Sequence, residues 1–386
     1  MTESAPQAAP AEQQGPGRRV DWIELFFDLA MVAFITQLAH GLHGAPGPAE
    51  FATFIAFSIP AWWAWSNIMV CVNVLPQLPP RLIGVALLGA MATIGLMAAS
   101  LTETADRVWA FALANVALRL ILLVLWVYRA RVRRRPLART FVYNGATAVP
   151  WLVSVFVPTP LNFVLWGIAI LIEVLLLRVG SDTVFRMLRV DVAHASERLG
   201  LFMIILMGES VLSLVTALST HWSLGSALAA LVGFIAVCFI AWGFFVSGGD
   251  VIERGLERLT ERHSVAGLLD TVMFLPYLIV VSVTMFAAGL ATAVDDPGEP
   301  LAFGAALCLC VGVALFYFTN CVAVLRYGTP LREVLPWAAL GILLPVAVLF
   351  VSPYVSALVA PGLIAAAVVA VVLVSALLAR RRPARA

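Results

Sequence analysis

The stretch Val20-Asp21-Trp22-Ile23-Glu24-Leu25-Phe26-Phe27-Asp28-Leu29-Ala30-Met31-Val32-Ala33-Phe34-Ile35-Thr36-Gln37 opens an apolar run of membrane length and sets two carboxylates inside it. Glu24 and Asp28 stand four residues apart. At about 100° per residue they lie roughly 40° apart and share one helix face. A carboxylate inside a bilayer is costly unless it is paired, protonated or wet, so both acids are functional candidates. The competing reading is that Trp22 marks the interface and the acids reach headgroup water.

The rest of the chain follows the same plan. Of its 386 residues 62% are hydrophobic and only 12% are charged, and the mean hydropathy is +0.99. Soluble domains carry about 25% charged residues. Long apolar runs without strict alternation exclude a membrane β-barrel and predict an all-α, polytopic bundle of transmembrane helices. The expected helices are 22–42, 50–74, 80–101, 106–129, 138–157, 161–179, 194–218, 223–247, 264–292, 300–325, 331–351 and 355–379, twelve in all. Residues 1–19 read as a disordered polar tail without a cleavable signal peptide, 20–380 as one transmembrane domain, and 381–386 as a second short tail. Halves at 20–190 and 191–380 are a conjecture from the even helix count.

Every one of the 24 basic residues is arginine. Arg107 alone falls on one side of the twelve-helix alternation, Arg119 and Arg198 fall within helices, and the others cluster in the opposite connections and at both ends. The positive-inside rule then places both termini in the cytoplasm, in the bacterial inner membrane. The 129–135 run reads as a topological anchor facing anionic lipid, not a nucleic-acid site. The segment 250–263, with Glu253, Glu257 and Glu261 alternating with Arg254, Arg258 and Arg262, reads as a solvated amphipathic connection. The five cysteines (Cys71, Cys238, Cys308, Cys310 and Cys321) lie in apolar segments, form no C-x-x-C pair and read as small core residues.

The seventh helix is the counterpart of the first. Its stripe of His194, Arg198, Glu209, Ser213 and Thr216 runs from one end past the midplane, since Arg198 and Glu209 are eleven residues and about 20° apart. The expected pairing is Arg119 with Glu209. Against those two arginines stand Glu24, Asp28, Glu173, Glu197, Glu209 and Asp270, so some carboxylates must be protonated, hydrated or cation-bound. The alternative is that these acids sit at wet helix ends or tie helices together. Pro60 and Pro276 are expected to open helices. Gln37, Asn67, Asn144, Ser210 and Tyr277 are candidates to line a cavity or to bridge helices.

Two motifs carry a resemblance. The run Trp22-Ile23-Glu24-Leu25-Phe26-Phe27-Asp28-Leu29, followed by Ile35-Thr36-Gln37-Leu38, resembles the opening motif of the bacterial low temperature requirement A family. The run Glu197-Arg198-x-Gly200-Leu201-Phe202-x-Ile204-Ile205-x-x-Gly208-Glu209-Ser210 resembles its second motif, and Arg119 in Ala117-Leu118-Arg119-Leu120 fits the same pattern. Asn73 to Arg81 departs from it, because no acid stands between them. The resemblance implies a multipass bacterial membrane protein tied to growth in the cold and supplies no substrate.

No H-E-x-x-H, G-x-S-x-G or phosphate-binding loop occurs, and no metal, cofactor or catalytic set is expected. The excess of intramembrane acids favours a proton- or cation-coupled secondary transporter of an unknown small solute. The competing readings are a non-catalytic envelope factor supporting growth at low temperature and an intramembrane lipid enzyme.

Overall fold

The computed structural model describes residues 20–75, 78–102, 104–185, 191–261 and 270–380. Both tails lie outside them. Among the described residues the chain is all-helical, with thirteen α-helices and no strand. Eleven helices are long and apolar enough to cross a membrane. They are α1 (Trp22–His40), α2 (Pro48–Val74), α3 (Pro80–Ala99), α4 (Thr104–Val132), α7 (Leu161–Phe185), α8 (Val192–Thr220), α9 (Leu224–Glu261), α10 (Leu275–Asp295), α11 (Phe303–Arg326), α12 (Leu331–Val351) and α13 (Val359–Arg380).

The fifth expected helix, 138–157, is not continuous. It is built as α5 (Ala138–Thr140), a π-helical stretch π1 (Phe141–Ala146) and α6 (Ala148–Ser154). Pro150 is the cause: its ring displaces the carbonyl four residues back, at Ala146, where π1 ends. Pro276 behaves alike, because π2 (Asp270–Phe274) spans the carbonyl of Val272 and runs into α10. Pro60 does not open its helix. It is carried inside an unbroken α2, where Phe57, Ala61, Trp62, Trp63 and Trp65 are buried around it.

The charged stretch after residue 250 is also not a separate solvated connection. It continues α9 as one helix to Glu261; the remainder, 262–269, lies outside the described residues. Leu256 and Leu259 are buried, and a Cβ on Gly255 would fall 2.3 Å from the Tyr327 ring. Arg258 Nη1 donates to the Tyr327 carbonyl at 3.2 Å. Glu253 and Glu257 are exposed, yet the opposite face docks on the end of α11. Of the cysteines, Cys238 is exposed, against the expectation of a core position.

Counting α5–π1–α6 and π2–α10 as one span each gives twelve spans, and their neighbour relations repeat. In the first half span 1 packs on 2 and 3, span 2 on 3, 4 and 6, span 3 on 4, span 4 on 5, and span 5 on 6. Every one of these pairs recurs six spans later, from 7 on 8 and 9 to 11 on 12. Six spans is an even number of crossings, so the two sets run parallel, as in transporters built from parallel repeats. The sets meet chiefly where α1 packs on α8 and α10.

The tightest helix pair is α10 with α11. A Cβ on Gly289 would lie 2.5 Å from the Leu309 backbone nitrogen, and one on Gly312 would lie 2.6 Å from that of Phe286. Backbone cannot swing aside as a side chain can, so glycine alone permits this approach. Gly312→Ala is therefore expected to cost about 1–3 kcal/mol, read as a lower melting temperature in detergent. Gly95→Ala is the control, because its Cβ would meet nothing within 4 Å. Equal melting of the two variants would show that the close crossing does not limit stability.

Candidate functional site

The first charged centre lies on the seam between the two sets of spans. Glu24 and Asp28 of α1 are 0% exposed, and His194 and Arg198 of α8 are 1% exposed, so water does not solvate any of them. Arg198 grips Asp28 with two nitrogens, Nη2 to Oδ1 at 2.9 Å and Nε to Oδ2 at 3.2 Å. Its third nitrogen, Nη1, donates to Glu24 Oε2 at 3.2 Å. His194 Nε2 stands 3.0 Å from the same Glu24 oxygen. The Phe27 and Trp65 rings lie 5.7 and 5.8 Å from the guanidinium carbon and keep the centre dry.

The register of this centre follows the repeat. Glu24 and His194 are each the third residue of their helix, and Asp28 and Arg198 each the seventh. Each pair is separated by 170 residues. Equivalent positions of the two halves thus face one another, an acid on one helix and a base on the other. With the imidazole protonated, these four side chains sum to zero charge; with it neutral, they carry one negative charge. The start of α8 is fixed from α2, since Asn73 exchanges two hydrogen bonds with the Asp191 backbone at 2.9 and 3.1 Å. Asp191 in turn caps α8 by accepting from the His194 backbone N–H at 3.0 Å.

The second centre lies mid-span within the first half. Arg119 of α4 donates from Nε to Glu173 Oε1 at 2.7 Å and from Nη2 to Oε2 at 3.2 Å. Trp63 Nε1 adds a 2.6 Å bond to Glu173 Oε2. Tyr143, on π1, donates to Asn67 Oδ1 at 3.1 Å, and Asn67 Nδ2 donates to the Trp63 carbonyl at 2.8 Å. The broken fifth span thus presses its wide turn and Trp151 against this ion pair. The Arg119 guanidinium carbon lies 5.2 Å from the Trp151 ring centre.

Helix α2 joins the centres through three indoles that donate to three different elements. Trp65 Nε1 bonds Asp28 Oδ1 at 2.9 Å, Trp63 bonds Glu173, and Trp62 Nε1 bonds the Met273 carbonyl of π2 at 2.7 Å. A π-turn frees carbonyls from the regular ladder, and Trp62 satisfies one. Tyr277, just beyond, meets Ser58 of α2 at 2.8 Å through its hydroxyl.

The sequence expectations sort against this geometry. Glu24, Asp28 and Arg198 come together, and Arg119 meets Glu173. The expected Arg119–Glu209 pair does not form. Glu209 is half-buried on α8 and has no ion pair or hydrogen bond among the described residues. The first turns of α8 meet α1 through His194 and Arg198, whereas Glu209 stands half-buried further along the same helix. Glu197 is exposed and accepts from the Val20 backbone at 3.4 Å. Gln37 is exposed on α1 and lines no interior. Asn144 and Ser210 are buried but bond back to their own helices, at the carbonyls of Thr140 and Leu206. The backbone of Asp270 opens π2, while its side chain lies outside the described residues. Trp62, Trp63 and Trp65, which donate to π2, Glu173 and Asp28, are the site residues that residue-type reasoning passed over. Their close spacing on one helix, beside buried acids, is the available signal.

Fold and centres together define a multi-pass helical membrane protein in which the buried charge of the described residues is gathered in two clusters. The family model described as bacterial low temperature requirement A protein (LtrA) matches residues 19–376. The chain belongs to that bacterial family. No curated protein and no solved structure matches it.

Proposed function

We propose that the protein is a proton- or cation-coupled secondary transporter of the bacterial inner membrane, with Glu24, Asp28, His194 and Arg198 as its coupling centre. The observation that carries this reading is the position of that centre. It holds the two halves together at symmetry-equivalent residues, where a change of one charge alters the force between them. Transporters of parallel repeats work by rocking one half against the other. A proton or cation entering the centre cancels its one negative charge and stabilises the closed seam. Its departure leaves two carboxylates against one guanidinium and weakens the seam. The π-turns next to Trp62 and Tyr143 give each half a deformable segment beside the charges.

The test is pH-gradient-driven proton uptake into proteoliposomes. Asp28→Asn and Glu24→Gln are expected to fall to the level of protein-free liposomes while keeping a cooperative melt. Glu209→Gln is expected to retain uptake, because its carboxylate touches neither centre. Wild-type protein indistinguishable from empty liposomes under proton, sodium and potassium gradients would favour the non-catalytic envelope role instead.

A further inference from the structure

We infer that the Arg119–Glu173 centre is the binding site for a small organic monoanion, a short-chain monocarboxylate, taken up together with one proton. The inference rests on the transporter reading above and supplies its substrate class. It begins with what the ion pair leaves over. Arg119 is 1% exposed and Trp151 is 0% exposed. Among the described residues four buried side-chain atoms lack a hydrogen-bond partner, Ser66 Oγ, Asn115 Oδ1, Arg119 Nη1 and Trp151 Nε1, and the last two are N–H donors. Orphaned buried donors are rare, because each forfeits a hydrogen bond that water would have made. Here two stand close together, with the guanidinium over the indole ring. Both are donors, so the missing partner is an acceptor. Arginine with an adjacent N–H is suited to a carboxylate, whose two oxygens take parallel hydrogen bonds.

Charge then dictates the coupling. Arg119 and Glu173 are neutral as a pair. A bound carboxylate adds one negative charge at mid-span, and one guanidinium cannot balance two carboxylates in a dry interior. Neutrality returns when Glu173 takes a proton from solution onto a carboxyl oxygen. Trp63 then loses a charged acceptor at 2.6 Å, which passes the event to α2 and so to Asp28 through Trp65. At this site the balance is one anion and one proton bound, with no net charge added. Trp63 donates to Glu173 and the Trp151 ring lies beside the Arg119 guanidinium, so two aromatic side chains border the pair.

Binding to the purified full-length protein in detergent tests this without requiring transport. The probes are sodium acetate, lactate and benzoate, with sodium chloride at matched ionic strength. The readouts are melting temperature and tryptophan fluorescence. Wild type is expected to bind at least one carboxylate with an apparent affinity that weakens about tenfold per pH unit as pH rises. Glu173→Gln, which mimics the protonated acid, is expected to bind as tightly at high pH as at low. Trp151→Phe keeps the ring, removes one donor, and is expected to bind about tenfold more weakly. Absence of any carboxylate response, a chloride response of equal size, or pH-independent binding in wild type would each overturn the assignment. Proton flux without anion binding would remove the substrate class and leave the transporter reading. Anion binding without flux would do the reverse.

Discussion

Replacing Arg198 with methionine is expected to destabilise the protein more than any other single substitution in the first centre. The change leaves Glu24 and Asp28, both fully buried, without the guanidinium that makes three hydrogen bonds to them. Removing one partner of a buried ion pair costs about 3–5 kcal/mol, because the stranded charge keeps its desolvation penalty. Replacing every partner together is far milder. Arg198→Met combined with Glu24→Gln and Asp28→Asn is therefore expected to recover most of the lost melting temperature. Melting curves of the single and triple variants read this directly. A single variant that melts like wild type would mean that the seam is held by apolar packing alone.

The second large effect is expected at Trp63. Its indole N–H donates to Glu173 at 2.6 Å, and its ring stacks on Phe274 of π2 at 6.1 Å between centroids. Trp63→Phe keeps much of the ring surface and deletes the donor. A hydrogen bond to a charged group contributes about 1.5–3 kcal/mol, and its loss leaves a buried oxygen undersatisfied. Trp65→Phe is expected to cost a similar amount at Asp28. Trp62→Phe is expected to cost less, because the Met273 carbonyl is neutral. A double-mutant cycle of Trp63→Phe with Glu173→Gln separates the bond from the packing. Additive melting shifts would show that Trp63 matters only as bulk, and α2 would no longer qualify as the link between the centres.

Eleven of the twelve expected spans were legible from apolar length alone, and the fifth was not, because it is broken at π1. The acids were legible as a class, since a carboxylate in an apolar run is conspicuous wherever it pairs. Their partners were not. Arg119 could be placed at the depth of Glu209, but depth does not say which helix lies beside which. Glu173 wins Arg119 because α4 and α7 both flank α2 and the broken fifth span, an arrangement that only the packing reveals. The even helix count suggested two halves, but residue identity gave them no support, for an instructive reason. Comparison of α1 with α8 seeks like residues, and the matching positions hold opposites: Glu24 against His194 and Asp28 against Arg198. Complementary charge at equal register scores as mismatch, although it is what two parallel halves need where they meet. The break at π1 was signalled by Pro150, which stands four residues beyond Ala146 within an otherwise continuous apolar run.

The most direct test of the coupling centre is infrared difference spectroscopy of the reconstituted protein between pH 8 and pH 5, following the carbonyl stretch of protonated carboxyl groups together with the ring modes of histidine. The expected result is a band that appears on acidification and is lost or shifted in Asp28→Asn and Glu24→Gln, but is unchanged in Glu209→Gln. A band that survives in both Asp28→Asn and Glu24→Gln would place the exchangeable proton elsewhere and contradict the assignment of the α1–α8 seam as the coupling site.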